Sequence, residues 1–169
     1  QTLLKTNKTD NVTHMTAAEQ IAAITPRVAE LQTKCDKYFA HLVQALEAQG
    51  YKKVDFTKLG KQQEHFWKEY FHRELLPLLS PQIVDQRHPF PFLYNKQVYY
   101  IAQLHSKNDG VSYGIVPVNP QFERVLFIRD GDATCYAFVE EVIAHFAASI
   151  FSASTVQKQC LFRVTRNAD

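Results

Sequence analysis

Residues 97–118 read QVYYIAQLHSKNDGVSYGIVPV, two apolar runs around a polar turn, and this stretch decides the fold class. The first run, 97–104, is rich in Val, Tyr and Ile, which fit a pleated, half-buried surface. Asp109-Gly110 suits a tight hairpin turn, and residues 111–118 return as a second strand. Toward the C-terminus, ERVLFIRD (123–130) reads as a third strand and GDATC (131–135) as a turn. Phe138, Val142, Phe146 and Ile150, four apart, predict a helix over 136–150. KQCLFRVTRNAD (158–169) closes as a strand, with Cys160, Phe162 and Val164 on one face and Leu161, Arg163 and Thr165 on the other.

Toward the N-terminus, LLSPQIVD (78–85) is extended. Before it a helix over 61–76, opened by Gly60 and stopped by Pro77, carries Phe66, Trp67, Tyr70, Phe71 and Leu75 on one side. YKKVDF (51–56) reads as a short strand or linker. The first 15 residues are polar, a loop or frayed end. TAAE (16–19) forms a capping box, and behind it Ile21, Ile24, Val28, Leu31, Cys35, Tyr38, Leu42 and Ala45 alternate three and four apart. One long helix is predicted, ending near Gly50. Pro26 predicts a kink over 22–26, or a fresh start with Thr25 as N-cap. The apolar seam needs a cover, from a neighbouring helix of a longer protein or from a second copy. The fold class is α+β: a long N-terminal helix, 1–50, then a mostly antiparallel sheet with two or more packed helices over 51–169.

Composition bounds the partners. The chain has 169 residues, 46% of them hydrophobic, enough for one domain with an appendage. A net charge of +2 is too mild for a nucleic-acid or membrane-surface binder. Cys35, Cys135 and Cys160 form no CxxC pair, so a reducing, cytoplasmic setting fits, with Cys135 and Cys160 expected as buried thiols. No apolar run approaches the ~18 residues of a membrane helix. Gln1 and Asp169 look like cut ends, which suggests a piece of a longer protein.

Little in the chain promises chemistry. No glycine-rich phosphate loop and no HExxH occurs, and His65 and His72 stand too far apart for one metal. Catalytic residues and metal ligands are therefore expected to be none. Arg163 and Arg166 flank the end of the closing strand. Either they pair with carboxylates or they grip an anion, which in an ideal strand needs a bend near Thr165. RHPFPFLYN (87–95) is the other feature. Pro89 and Pro91 fix φ and hold His88 and Phe90 extended, so Phe90 and Phe92 point the same way. Two rings on a rigid strip make a plug for an apolar groove, expected to be buried, with Arg87 and His88 at its polar entrance.

RHPFPFL (87–93), FVEEVIAHF (138–146) and FRVTRNAD (162–169) resemble the bacterial polyphosphate kinase family in its type 1 form. TAAEQIAAITPRV (16–28) and YFHRELLPLLSPQIVD (70–85) are similar to further stretches of that family, in the same order. The resemblance implies an enzyme that moves the terminal phosphate of ATP reversibly onto polyphosphate with Mg²⁺. It implies that residues 1–50 end the N-terminal helical domain and that 51–169 are most of the head domain. The family's phosphorylated histidine, Mg²⁺ contacts and triphosphate contacts have no counterpart here. Expected partners are the remaining domains of the parent, a homo-oligomer, and ATP and polyphosphate for the whole enzyme; no cofactor is expected in this piece. Two departures stand out: Pro26 inside the long helix, and PQFERVLF (120–127) where the family has P-R-F, leaving Arg124 nearby. The implied role is subunit assembly and part of a substrate-channel wall. The rival readings are a polyanion-binding module gripping with Arg87, Arg163 and Arg166, and a coiled-coil interaction protein built on the first helix.

Overall fold

The computed structural model describes residues 9–106, 110–131 and 133–166. The chain divides into two compact units, Gln1–Gly50 and Tyr51–Asp169.

The first unit is dominated by α1, Ala17–Ala48. Its capping box forms: the Glu19 N–H donates to Thr16 Oγ1 at 3.3 Å, and the Thr16 N–H donates to Glu19 Oε2 at 2.7 Å. Gly50, at φ +85°, follows the C-terminus. The helix runs unbroken through Pro26, so no fresh start occurs at Thr25. The Thr25 hydroxyl instead donates to the Ile21 carbonyl at 2.8 Å, one turn back. No residue of α1 is buried.

The second unit holds two sheets. β2 (Gln82–Val84), β4 (Gly110–Pro117), β3 (Val98–Ser106) and β7 (Thr155–Arg163) pair antiparallel in that order. Ser106 stands opposite Gly110 as the hairpin reading requires; the turn at 107–109 lies outside the described residues. The second sheet orders β1 (Tyr51–Lys53), β6 (Ala133–Phe138) and β5 (Val125–Asp130). β1 runs parallel to β6, the one parallel pairing among the described strands.

Several elements differ from the sequence reading: β6 begins at Ala133, inside the stretch 131–135 read as a turn, and β7 spans Thr155–Arg163 rather than opening at 158 and running on to the end. Residues 136–138 are not helical: they end β6, and α3 begins only at Val139 and ends at His145, followed by α4, Ala147–Ile150. Tyr136 and Phe138 alternate with Ala137, a period of two that the four-residue spacing from Phe138 onward masked. The helix over 61–76 also changes pitch. α2 covers Lys61–Tyr70, a π-helical turn covers Phe71–Leu75, and a 3₁₀ turn covers Leu76–Leu78. Pro77 has no N–H to return to the previous turn and crowds the carbonyl there, which disfavours regular α geometry at the end of this segment.

Trp67, Phe71 and Leu75, four apart, are buried together with Tyr100, Leu104, Val116, Val142 and Ile143. Phe71 stacks on Phe146 with centroids 5.4 Å apart. α3 packs against β3 and β7. Tyr100, Ala102 and Leu104 of β3 point to this core, while Tyr99 and Ile101 point to the opposite face. Cys135 is buried, but Cys160 is exposed on the edge strand β7, contrary to expectation.

Candidate functional site

The loop after β2 is fastened at both ends. At its start, Asp85 Oδ1 accepts the backbone N–H groups of Arg87 (2.7 Å) and His88 (2.8 Å), and His88 Nδ1 stands 2.9 Å from the same oxygen. These bonds, led by the Arg87 N–H, hold the Asp85 carboxyl below the usual carboxylate range. A charge-assisted turn of this kind orients His88 and leaves Pro89 and Pro91 to stiffen the rest of the loop.

At its far end the loop is clamped by the residues just beyond β7. The Arg166 guanidinium lies 4.4 Å from the Phe92 ring centroid, and Arg166 Nη2 donates to the Leu93 carbonyl at 2.8 Å. The Arg166 N–H donates to Asn95 Oδ1 at 3.0 Å, and the Lys96 N–H donates to the Val164 carbonyl at 2.7 Å. The Tyr94 N–H donates to the Tyr99 hydroxyl at 2.6 Å, which in turn donates to Gln97 Oε1 at 3.1 Å. Lys96 adopts φ +64°, the reversal that lets the loop enter β3.

The sequence reading is corrected on one point. Phe90 and Phe92 are not buried within this chain: they are 63% and 69% exposed, and Tyr94 is 65% exposed. The groove that such a plug would fill is not supplied to the loop by its own surroundings. Phe92 rests edge-on to Tyr94, with centroids 5.4 Å apart, beneath the arginine.

The structure separates the two arginines. Arg166 is engaged by the loop. Arg163 stands at the end of β7 opposite Val98, exposed, and makes no ion pair among the described residues. Among the described residues neither pairs with a carboxylate, whereas Arg124 does. There Nε and Nη2 donate to Oε1 of the buried Glu140 at 3.0 and 2.7 Å. The sequence alone marks Glu140 and Glu141 only as a helix start. Glu141 does accept the Phe138 N–H at 3.2 Å, and it also pairs with Lys53 at 2.5 Å.

A second feature has no signal in the sequence. On the core-side face of β7, a cleft of about 560 Å³ is lined by Val54, Phe56, Ala144 and Leu161, with Lys53, Asp55, Glu141 and His145 around them. His145 Nε2 stands 3.0 Å from Glu64 Oε2, and its ring leans on Phe56 (5.0 Å) and Phe146 (4.6 Å). Its residues come from the end of β1 and the segment after it, from α3 and from β7, too dispersed in sequence for any local motif to announce it.

Residues 62–169 match the model of the polyphosphate kinase middle domain. The chain belongs to the polyphosphate kinase family. A polyphosphate kinase from Bacillus cereus is 31% identical over 96% of this chain, and polyphosphate kinase 1 from Chlorobaculum tepidum is 28% identical over 92%. In both, the match spans 24% of the relative, so the chain spans about a quarter of the length of these proteins. The crystal structure of polyphosphate kinase from Porphyromonas gingivalis superposes with a TM-score of 0.74 at 20% identity, over 90% of this chain and 25% of that one. The α+β architecture is thus the one found within that enzyme. Among the described residues, no three His, Cys, Asp or Glu side chains converge to hold a metal ion. No helix of the described residues is long and apolar enough to cross a membrane.

Proposed function

We propose that this chain serves a polyphosphate kinase, which transfers the terminal phosphate of ATP to polyphosphate, as a docking and channel-wall element rather than as its reaction centre. One observation carries this reading: the proline-stiffened loop presents Phe90, Phe92 and Tyr94 to solvent while Asp85 and Arg166 hold its backbone fixed. Three exposed aromatic side chains on an ordered strip mark a contact surface. A rigid anchor loses little conformational entropy on docking, which favours assembly over flexible linkage. Lys96 and Arg163, which make no ion pair among the described residues, lie beside the clamp, where a passing polyanion would meet them. Mg²⁺ and ATP belong, on this reading, to the other domains of the enzyme.

The test pairs the 169-residue chain with the Bacillus cereus polyphosphate kinase polypeptide that lies outside the aligned quarter. Binding of the two by sedimentation, weakened by the double change Phe90→Ala and Phe92→Ala, supports the reading, together with absence of ADP when the chain alone meets Mg²⁺, ATP and polyphosphate. Sustained turnover by the chain alone, or binding indifferent to both substitutions, refutes it. The polyanion-grip reading has one observation in its favour, Arg163 without an ion pair among the described residues, but loses Arg166 to the loop. It requires steeply salt-dependent binding of polyphosphate to the isolated chain.

A further inference from the structure

Resting on that docking reading, we infer that the aromatic loop of one copy seats in the cleft of a second copy, between β1, α3 and β7. The plug and a socket of matching chemistry occur on the same chain. The socket has an apolar floor of Val54, Phe56, Ala144 and Leu161. It is an open depression of about 560 Å³, room for an aromatic side chain to lie against that floor.

The two features cannot meet within one chain. Leu161, which lines the cleft, pairs with the buried Tyr100 on the core-side face of the sheet. Phe162, the next residue, pairs with and stacks on Tyr99 at 5.5 Å, on the other face. The loop is tied to that other face through the Tyr99 hydroxyl. Successive residues of a strand point to opposite sides, so plug and socket are divided by the sheet itself. Only another molecule can bring them together.

Charge favours the same match. Among the residues that line the cleft, the carboxylates of Asp55 and Glu141 stand against the one ammonium of Lys53. Around the loop stand Lys96, Arg163 and Arg166 against Asp85, a positive collar. Complementary potentials of this kind set orientation and speed encounter more than they add affinity. Because plug and socket are different patches, a single contact is head-to-tail, and two chains close on each other only when both contacts form at once.

The experiment places the photo-crosslinking residue p-benzoylphenylalanine at position 92 of the 169-residue chain. The chain is irradiated and the cross-links are mapped by mass spectrometry. The expected product is a covalent dimer joined from position 92 to residues 53–57 or 141–145. Filling the acceptor's cleft by Ala144→Trp, or charging its floor by Leu161→Glu, should lower the yield about tenfold, the loss equivalent to ~1.4 kcal/mol of binding. Both acceptor variants are checked for cooperative unfolding, so that loss of fold is not read as loss of the socket. Cross-links to a different surface of a second copy overturn the socket and leave the loop as a docking element. Absence of any cross-link, together with indifference of the Bacillus cereus binding assay to the loop substitutions, overturns both.

Discussion

Gly114 is the residue whose replacement tests the packing most sharply. It sits in β4 opposite Ala102 and Ile83, with no strained backbone to explain its presence. A Cβ added there would stand 2.4, 2.6 and 3.0 Å from Cζ, Cε1 and Cε2 of Phe151. Carbon atoms in contact prefer ~3.5–4.0 Å, so the ring has to retreat by about 1 Å. Phe151 is only 6% exposed and belongs to the core, which leaves no free volume to absorb the shift. Gly114→Ala would otherwise stabilise by ~0.4–1 kcal/mol through the unfolded chain. Overpacking costs ~1–3 kcal/mol, so the clash outweighs that gain at all but its lower limit. The expected net loss is about 1–2 kcal/mol. The lone tryptophan, Trp67, is fully buried and reports unfolding by its fluorescence in urea. Phe151→Leu added to Gly114→Ala should recover part of the loss, because contacting residues are not additive. A Gly114→Ala chain with the wild-type urea midpoint, or a double variant whose losses simply add, would refute the steric account.

Three further outcomes are expected. Arg166→Ala should speed amide exchange over residues 91–96 while lowering global stability by no more than ~1 kcal/mol, since the clamp is exposed; Arg166→Lys should restore only part of the protection because an ammonium cannot stack as a guanidinium does. The Asp85 carboxyl is depressed in the folded state, so its contribution is present above the ordinary carboxylate pKa and is lost as pH falls through the folded value. Protection of the Arg87 and His88 amides should therefore fade in acid, and Asp85→Asn should flatten that pH profile; a profile unchanged by the substitution counts against the turn. Tyr100 is pushed up to about 12, first by burial and then by the nearby Cys160, so the stability it contributes is intact below pH ~10 and declines as pH rises toward 12. Ultraviolet titration of Tyr100→Phe should lack the highest-pH tyrosine step.

The hairpin is legible in the sequence because its alternation and turn are local. Val98 to Ser106 and Gly110 to Pro117 each carry a period of two beside a Gly-containing turn, and no distant residue is needed to decide their geometry. The capping box of α1 is equally local. The parallel β1–β6 pair is not. Tyr51 and Thr134 are joined across most of the second unit, and nothing in YKKVDF distinguishes a linker from an edge strand. Tyr136 to Phe138 could serve two periods at once, and the β5 partner settles it as strand. The pitch change after Tyr70 precedes Pro77, whose effect a sequence reading places at the helix end rather than several residues before it.

The candidate site shows the same division. Proline stiffening of residues 89–92 is a local property and can be read directly. Whether the rings are covered depends on their surroundings, and there the sequence misleads: apolar character signals that a surface will be covered, not by which molecule. The clamp is out of reach for a related reason. Arg166 lies 73 residues from Leu93, so its choice between an anion and a carbonyl is made by the register of β7 on β3. Shifting that register by one residue would exchange the faces of Leu161 and Phe162. It would move Leu161 off the cleft, take Phe162 from Tyr99, and carry Arg166 away from Phe92 together. One strand pairing thus fixes both halves of the proposed contact, which is why neither half is written in the residues that form it.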